Sequence, residues 1–286
     1  MGYKQSEYGY NYRFLNSHLC CINFKTINIM QTNENKVALI SGANTGVGFQ
    51  IAKALIENRY IVYVGSRDKK KGEAAADQLG EHARAIQLDI TDPESIKAAV
   101  ETVEREYGYL TLLVNNAAVS HAGEQGRTME EILDSQRASI VPITGLKTVW
   151  ETNVFGTLAL TQAFIPLLHR AKKARIVTIS SALGSLTINS NPENPYRSSF
   201  DAVYGASKTA LNGIFLSLAI DLEKTDIKVH LVSPGFTATA LNNFQGTDSV
   251  EVGSIEPIRV ALAEDLPTGS FTGPENFSGK DNNLAW

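Results

Sequence analysis

The stretch Val37-Ala-Leu-Ile-Ser41-Gly42-Ala43-Asn44-Thr45-Gly46-Val47-Gly48 decides the fold of this chain. It begins with an apolar run typical of a buried strand and leads through three glycines into Phe49–Asn58, which has helical periodicity. Glycines between a strand and a helix allow a tight turn and let the backbone approach a ligand closely. The helix that follows points free N–H groups and the positive end of its dipole at the same place. This arrangement predicts a pyrophosphate site formed by Gly42, Asn44, Thr45, Gly46, Val47 and Gly48.

Apolar runs and amphipathic segments alternate along the chain from Lys36 onward. Strands are predicted at Val37–Ser41, Tyr60–Val64, Ala85–Asp89, Leu110–Val114, Arg175–Ser180 and Ile227–Ser233. Helices are predicted at Phe49–Asn58, Lys69–Leu79, from Thr91-Asp92-Pro93-Glu94 onward, at Val149–His169 and at Tyr204–Glu223. Near-continuous apolar strands that alternate with amphipathic helices indicate a parallel sheet covered on both faces. We therefore expect an α/β protein with a single doubly wound Rossmann-type parallel sheet and helices on both faces.

Length and composition are those of a globular protein with a full core. The chain has 286 residues, of which 43% are hydrophobic and 20% charged, and its net charge is -4. An acidic balance argues against nucleic acid or an anionic membrane as the main partner. No apolar run approaches the roughly 18 residues that a transmembrane helix needs. We expect a cytoplasmic protein.

Residues 1–30 differ from the rest of the chain. They are rich in Tyr, Asn and Phe and have neither helical nor strand periodicity. They lack the basic start, long apolar core and cleavage site of a signal peptide. Cys20 and Cys21 are adjacent and offer neither a disulfide framework nor a zinc spacing, so no metal site is expected. We predict a poorly ordered N-terminal extension over 1–30 and one dinucleotide-binding and catalytic domain over 31–286.

A phenol and an ammonium lie four residues apart in Tyr204-Gly-Ala-Ser-Lys208, on one face of a predicted helix. The ordinary pKa of tyrosine is about 10, and a neighbouring cation favours the ionised form. The pair therefore predicts a phenol whose pKa is lowered toward neutral pH, where a general acid or base works best. A solvated pair on a helix surface is the alternative that these two residues alone leave open.

Two further motifs give the chain its resemblance to a known family. The glycine turn resembles the Thr-Gly-x-x-x-Gly-x-Gly motif of the classical short-chain dehydrogenase/reductase family, with Ser41 in the place of threonine. Asn115-Asn116-Ala117-Ala118 follows the fourth strand where that family has Asn-Asn-Ala-Gly. Ala118 departs from the pattern and lacks the φ freedom of glycine, and whether this alters the loop is left open. The resemblance covers nearly all of residues 36–286.

The resemblance implies a catalytic set of Asn153, Ser181, Tyr204 and Lys208. Ser181 would donate a hydrogen bond to a substrate carbonyl, and Tyr204 would deliver the proton. Lys208 would lower the pKa of the phenol and hold the nicotinamide ribose, and Asn153 would anchor a water in a proton relay. Hydride transfer between the cofactor and a ketone, aldehyde or secondary alcohol is the implied reaction. The same resemblance places further cofactor contacts at Asp89, Ile90, Asn116, Ala117, Pro234, Gly235, Thr237 and Thr239.

The end of the second strand discriminates between the two nicotinamide cofactors. NAD sites place an acid on the ribose 2′-hydroxyl, and NADP sites place an arginine near the 2′-phosphate. Here Ser66 is followed by Arg67, whose guanidinium suits a phosphate. A basic residue found before the middle glycine in some NADP-using relatives is replaced by Thr45. NADP(H) is therefore favoured over NAD(H).

The segment before Tyr204 suggests a substrate-selecting loop. Ser181 and Tyr204 are 23 positions apart, whereas about a dozen is usual in the family, and Asn189–Arg197 is polar and rich in turn residues. Such an insertion resembles those of the NADPH-dependent monomeric carbonyl reductases, although monomer and homo-oligomer both remain open. A catalytically silent dinucleotide-binding regulator is the alternative function, and an isomerase or dehydratase on the same fold is a third.

Overall fold

Seven parallel strands form one sheet in the order β3-β2-β1-β4-β5-β6-β7. A computed structural model describes residues 35–123, 126–275 and 281–286. The strands are β1 Lys36–Ile40, β2 Tyr60–Ser66, β3 Ala83–Gln87, β4 Leu112–Asn115, β5 Arg175–Ile179, β6 Lys228–Val232 and β7 Ser270–Thr272. The strand order reverses at β1, from which β2 and β3 extend in one direction and β4 to β7 in the other. The doubly wound Rossmann-type fold predicted from the sequence is therefore confirmed.

Ten α-helices connect and cover these strands in the described part of the chain. They are α1 Gly46–Glu57, α2 Lys69–Leu79, α3 Pro93–Glu106, α4 Met129–Ser135, α5 Ile143–Trp150, α6 Thr157–His169, α7 Leu186–Ser190, α8 Tyr204–Asp221, α9 Val250–Gly253 and α10 Ile255–Leu262. Asp92 caps α3 through its side chain, with Pro93 in the first turn, as the sequence predicts. None of these helices is long and apolar enough to cross a membrane.

Successive residues of β1 face opposite sides of the sheet and belong to two separate cores. Val37 and Leu39 pack in the core that includes Phe164 of α6 and Phe215 of α8. Ala38 and Ile40 pack in the other core, formed with α1, α2 and α10. All four β1 side chains are fully buried. The two-residue period of a strand thus divides one apolar run between two helical layers.

Two predicted elements differ from the observed ones for identifiable reasons. β3 begins and ends two residues earlier than predicted, because Asp89 uses its backbone N–H and carboxylate in the turn before α3. The predicted helix Val149–His169 is not one regular helix, because Glu151–Gly156 forms a π-helical turn between α5 and α6. π-helical turns of this kind occur often at functional sites.

The described residues from Asn35 to Trp286 form one compact unit. The predicted extension over residues 1–30 lies outside the described residues. Every strand of the sheet runs in the same direction, so the loops after β1, β2, β4, β5 and β6 meet at one edge. Most of the predicted cofactor contacts lie in these loops or in the first turn of α1, and ligands of open α/β sheets bind at this edge.

Candidate active site

The loops after β1 and β4 are joined by the hydroxyl of Ser41. Its Oγ accepts hydrogen bonds from the backbone N–H groups of Asn116 at 3.0 Å and Ala117 at 3.1 Å. The Asn116 amide donates back to the carbonyls of Ser41 at 3.0 Å and Gly42 at 2.9 Å. Four bonds therefore hold these loops together, and two of them are accepted by the hydroxyl that Ser41 shares with the threonine of the motif.

The glycine turn is a cradle that side chains would fill. A Cβ on Gly48 would lie 2.5 Å from Asn116 Nδ2, and one on Gly42 would lie 3.0 Å from Ala117 Cα. Gly42 and Gly46 have φ of +64° and +61°, a region that favours glycine. Val47 is buried, whereas Asn44 and Thr45 face outward beside the turn. The first N–H groups of α1 have no partner within the helix, so the turn fits a pyrophosphate.

Ala118 has an ordinary backbone conformation in the loop after β4. Its φ is not among the positive values found in the described chain, so the backbone here does not need a glycine. The next residue, Val119, is bonded to Asn153 through both its backbone groups.

Asn153 lies in the π-helical turn, and its amide is almost fully engaged. Oδ1 accepts from the N–H of Val119 at 2.9 Å, and Nδ2 donates to the carbonyl of Val119 at 2.8 Å. The second Nδ2 proton goes to Ser207 Oγ at 3.0 Å, and Ser207 in turn donates to the carbonyl of Tyr204 at 2.7 Å. Asn153 thus connects the loop after β4 to the first turn of α8.

Tyr204 and Lys208 lie on one face of α8, as their spacing predicts. Lys208 Nζ is 5.6 Å from the centre of the Tyr204 ring and donates to the carbonyl of Ile179 at 2.8 Å. The lysine side chain is buried, with only 2% exposed. This burial lowers the pKa of Lys208 to about 8. Tyr204 and Lys208 therefore do not form a solvated pair on a helix surface, which was the alternative interpretation of their spacing.

The pKa of Tyr204 moves in the direction opposite to the one expected. The pKa rises to about 12, mainly because of burial; the neighbouring Ser181 hydroxyl lowers it, and the charge of Asp201 makes a smaller contribution that raises it. The expectation that the neighbouring ammonium brings the phenol toward neutral pH fails in the protein alone, because loss of water around the phenolate is the larger effect. At neutral pH the phenol is therefore protonated.

The two serines after β5 have different surroundings. Ser180 is buried and donates to Asn212 Oδ1 at 2.5 Å on α8. Ser181 is half-buried, accepts from the N–H of Leu183 at 3.2 Å and lies close enough to Tyr204 to lower the pKa of the phenol. Alternation along the strand separates the two hydroxyl groups, and only Ser181 reaches the phenol.

Asp201 is a site residue that the sequence analysis missed. Its Oδ1 accepts from the N–H groups of Val203 at 2.6 Å and Tyr204 at 2.7 Å, so it caps the first turn of α8. Burial raises the pKa of this carboxyl, and the three backbone bonds that it accepts lower it. An aspartate three residues before a predicted helix start is a capping pattern, which could have identified it.

At the end of β2, Ser66 is buried and Arg67 is exposed. Ser66 is buried and donates its hydroxyl proton to the carbonyl of Asp68 at 2.8 Å, so that proton is not free for a ligand. The carboxylate of Asp68 caps α2 by accepting from the N–H of Lys71 at 3.1 Å. Arg67 is exposed, and its guanidinium has no partner among the residues that the structure describes. The guanidinium of Arg67 is therefore the polar group at the end of β2 that is most available to a ligand.

Asp89 uses one carboxylate oxygen locally. Oδ1 accepts from the N–H of Thr91 at 2.9 Å and from its hydroxyl at 2.7 Å. Ile90 is buried, and its carbonyl lies 2.6 Å from the position of a Cβ on Gly156. These bonds stabilise the turn before α3 and leave Asp89 Oδ2 without a hydrogen-bond partner among the described residues.

The loop after β6 separates its two threonines. Thr237 is buried, donates to the carbonyl of Pro234 at 3.0 Å and packs against Gly253. Thr239 is half-buried, and its methyl group lies 3.5 Å from the position of a Cβ on Gly46. Gly235 has a φ of +77°, which gives the turn after Pro234 its direction. Of the two threonines, only Thr239 borders the phosphate cradle.

The insertion before Tyr204 is anchored at one end and exposed at the other. Asn189, at the end of α7, is buried and donates to the carbonyls of Ala182, Leu183 and Ser185. The stretch from Asn191 to Arg197 is largely exposed. Asn189 is therefore a buried anchor and does not belong to the surface loop predicted to start there.

Among the described residues, no group of three or more His, Cys, Asp and Glu side chains could hold a metal ion.

A glycine turn at a strand-order reversal, together with a buried lysine and a tyrosine one helical turn apart, is typical of a dinucleotide-dependent oxidoreductase. The chain belongs to the short chain dehydrogenase family, whose sequence profile matches residues 36–249. The family's enzymes are oxidoreductases that bind a nicotinamide dinucleotide.

Individual relatives extend this likeness over most of the chain. The short-chain dehydrogenase anuI of Penicillium roqueforti is 36% identical over 244 residues, which cover 82% of this chain and 91% of that protein. The (+)-neomenthol dehydrogenase of Arabidopsis thaliana is 30% identical, with 85% of this chain and 97% of that protein covered. The solved structure of salutaridine reductase from Papaver somniferum aligns with a TM-score of 0.69 at 26% identity, covering 82% of this chain and 99% of that one.

Proposed function

We propose that the protein is an NADP(H)-dependent carbonyl reductase, which reduces a ketone or aldehyde of medium size to the alcohol. The observation that carries the proposal is the placement of Tyr204 beside the buried ammonium of Lys208, whose Nζ lies 5.6 Å from the centre of the tyrosine ring, with Ser181 close enough to lower the pKa of the phenol. Two relatives support the reaction class, since one is named a reductase and the other a dehydrogenase, the two directions of one reaction.

The proposed roles follow from the hydrogen bonds and charges. Ser181 donates to the oxygen of the substrate carbonyl and stabilises the negative charge that develops there. Tyr204, protonated at neutral pH, donates the proton to the same oxygen. Lys208 stabilises the phenolate that this leaves. Asn153 fixes the loop after β4 and the turn of Tyr204 through Val119 and Ser207.

The cofactor would be held by the loops at the carboxyl edge of the sheet. The N–H groups at the start of α1 and the glycine cradle would bind the pyrophosphate, and Thr239 would reach its other side. Lys208 would bind the nicotinamide ribose, with Asp89 and Ile90 at the adenine and the Pro234–Gly235 turn at the nicotinamide. When bound, the nicotinamide supplies the hydride.

Preference for NADP(H) is supported by charge at the end of β2. Arg67 is exposed and unpaired among the described residues, and Asp68 is occupied as a helix cap. Lys69, Lys70 and Lys71 form the first turn of α2, where cations are unfavourable beside the positive end of the helix dipole. A 2′-phosphate at this place would offset that repulsion.

The proposal is tested by following NADPH and NADH absorbance with a panel of ketones, quinones and aldehydes. We expect consumption of NADPH with at least one carbonyl, and a loss of at least 100-fold in Tyr204→Phe. Tyr107→Phe is the matched control, because Tyr107 follows the last residue of α3 and, within the described part of the chain, its hydroxyl bonds only Arg84 of β3. Cofactor binding without consumption by any carbonyl would instead indicate a silent regulator.

A further inference from the structure

The segment Val119–His121, which follows β4, is fixed to the surrounding elements of the site. Asn153 holds both backbone groups of Val119. The carbonyl of Ser120 accepts from Gln136 Nε2 at 3.0 Å, and the hydroxyl of Ser120 donates to the carbonyl of Leu241 at 2.6 Å. A short loop bonded on three sides holds its next residue, His121, in a defined position.

The same bonds connect the segment that ends at His121 to the loop after β6 and to the chain that leads into α8. Leu241 lies two residues after Thr239, in the loop that borders the phosphate cradle. The backbone carbonyl of Gln136 accepts from the N–H of Ala202 at 3.2 Å, two residues before Tyr204. His121 is half-buried there, so part of its ring is accessible.

The hydrogen bonds of Ser120 determine which ring nitrogen of His121 carries the proton. Ser120 has one hydroxyl proton, and the Leu241 carbonyl, which can only accept, takes it at 2.6 Å. His121 Nδ1 lies 2.9 Å from the same hydroxyl oxygen and must therefore donate to it. In a neutral ring the proton on Nδ1 leaves Nε2 as an acceptor with a free lone pair.

The ring is neutral at pH 7, and its acceptor is unused. Burial and the charge of Arg127 both lower the pKa of His121 below its ordinary value of 6.5. Among the residues that the structure describes, Nε2 has no hydrogen-bond partner. An oriented acceptor without a partner, at the wall of a proposed substrate site, favours ligands that bring a donor.

We propose that His121 Nε2 selects substrates that carry a hydroxyl or amide N–H away from the reacting carbonyl, by accepting a hydrogen bond from that group. The inference rests on the proposed carbonyl reduction and names a substrate class for the same site. A site that bonds a substrate hydroxyl discriminates against the analogue that lacks it. Because the ring is only half-buried, we expect a preference of about tenfold.

Two substitutions separate the roles of the two ring nitrogens. In His121→Asn the amide nitrogen can take the place of Nδ1 and keep the bond to Ser120, but no atom replaces Nε2. In His121→Gln the longer side chain can place its amide oxygen, an acceptor, near the position of Nε2. The two variants therefore differ in the acceptor while both remain polar and similar in size.

The substrate test compares 1-tetralone with its ring-hydroxylated isomers. Wild type is expected to prefer at least one isomer about tenfold in kcat/KM, His121→Gln to keep part of this preference, and His121→Asn to lose it. Rates with 1-tetralone itself should agree within about threefold in all three proteins. The inference is overturned when wild type reduces 1-tetralone but prefers no isomer, or when His121→Asn keeps the full preference.

A second measurement does not depend on turnover. Long-range proton–nitrogen NMR of the imidazole should find the proton of His121 on Nδ1 and a bare Nε2, whose nitrogen resonance moves when a hydroxytetralone is added. A proton on Nε2, or a resonance that no isomer moves, contradicts the inference. When no tetralone is reduced, the proposed function fails for this substrate class, while the NMR titration still decides the role of His121.

Discussion

The side chain of Asn153 holds the backbone of Val119 at both ends, accepting from its N–H at 2.9 Å and donating to its carbonyl at 2.8 Å. A residue expected to anchor a relay water therefore has its amide protons committed to Val119 and Ser207. Its main role in this account is positioning: it fixes the loop that carries His121 and, through Ser207, the turn that carries Tyr204. The π-helical turn places the amide where it can reach both.

We predict that Asn153→Ala lowers both stability and activity. Three hydrogen bonds disappear and the backbone groups of Val119 lose their partners, so unfolding should become easier by about 2–4 kcal/mol. Denaturant unfolding measures the first effect, and kcat/KM should fall by at least tenfold. Asn58→Ala is the control, because Asn58 is exposed and its amide bonds only the carbonyl of Ala54. Equal stability changes in the two variants would refute the positioning role.

The buried ammonium of Lys208 should cost the protein stability. The pKa is about 8 in the folded protein and 10.5 ordinarily, a difference worth about 3 kcal/mol when both states are protonated. Lys208→Met removes this cost but also a bond to Ile179 worth about 1 kcal/mol, so it should stabilise the protein by about 2 kcal/mol at pH 7. Activity should be lost.

The pH dependence of stability shows whether Lys208→Met stabilises the protein by removing a buried charge or by improving the packing. Between about pH 8 and pH 10.5 the unfolded chain binds more protons at Lys208 than the folded one, so wild type gains stability as pH rises. The advantage of Lys208→Met should therefore shrink across that window. Lys97→Met, at an exposed position on α3, should change stability by less than about 0.5 kcal/mol. An advantage that stays constant up to pH 10.5 would exclude the charge as its cause.

Arg67→Ala tests the cofactor preference. Loss of a charge-assisted bond to the 2′-phosphate should weaken NADPH binding by about 10- to 100-fold. NADH lacks that phosphate and serves as the internal control, with an expected change below threefold. Arg67→Lys keeps the positive charge but loses the planar guanidinium that can bond two phosphate oxygens. Its affinity for NADPH should therefore lie between those of wild type and Arg67→Ala. Titration calorimetry gives both dissociation constants, and equal losses for the two cofactors would contradict the assignment.

Gly48→Ala tests the phosphate cradle, because it adds a methyl group there without changing charge or hydrogen-bonding side chains. Its Cβ would lie 2.5 Å from Asn116 Nδ2 and 2.8 Å from the carbonyl of Gly42, so the loops after β1 and β4 must move apart. We expect the free energy of unfolding to fall by about 1–3 kcal/mol. Dinucleotide binding should be lost as well. Gly213→Ala is the matched control: a Cβ there meets nothing within 4 Å, and the change should stabilise α8 by about 0.5–1 kcal/mol. Unchanged dinucleotide binding in Gly48→Ala would remove the cradle from the account.

Features encoded by neighbouring residues were predictable from the sequence. The apolar run of β1 and the glycine turn each depend on a few consecutive residues, and the observed sheet follows from them. The bounds of α2 are those predicted, because Asp68 is a strong capping residue just before an alanine-rich segment. Ser41 was noted for its hydroxyl, although its two backbone partners lie about 75 residues away along the chain.

Features that depend on distant partners were not predictable. The three-residue strand β7 exists because it pairs with β6, and its own sequence is too short to indicate a strand. The pKa of Tyr204 depends on how much water its surroundings exclude, which the spacing of Tyr204 and Lys208 does not contain. His121 acquires its proton arrangement from Leu241, 120 positions later. Long-range contacts of this kind decide the chemistry of the site.

The most direct test of the central claim is to follow the isotope that the cofactor transfers. NADPH carrying deuterium at the transferring position of C4 is incubated with a ketone that the enzyme reduces, and the alcohol is analysed by mass spectrometry and NMR. The account predicts one deuterium on the carbinol carbon of each product molecule, and no product from Tyr204→Phe above background. Product without deuterium on that carbon, or unchanged turnover in Tyr204→Phe, would contradict it.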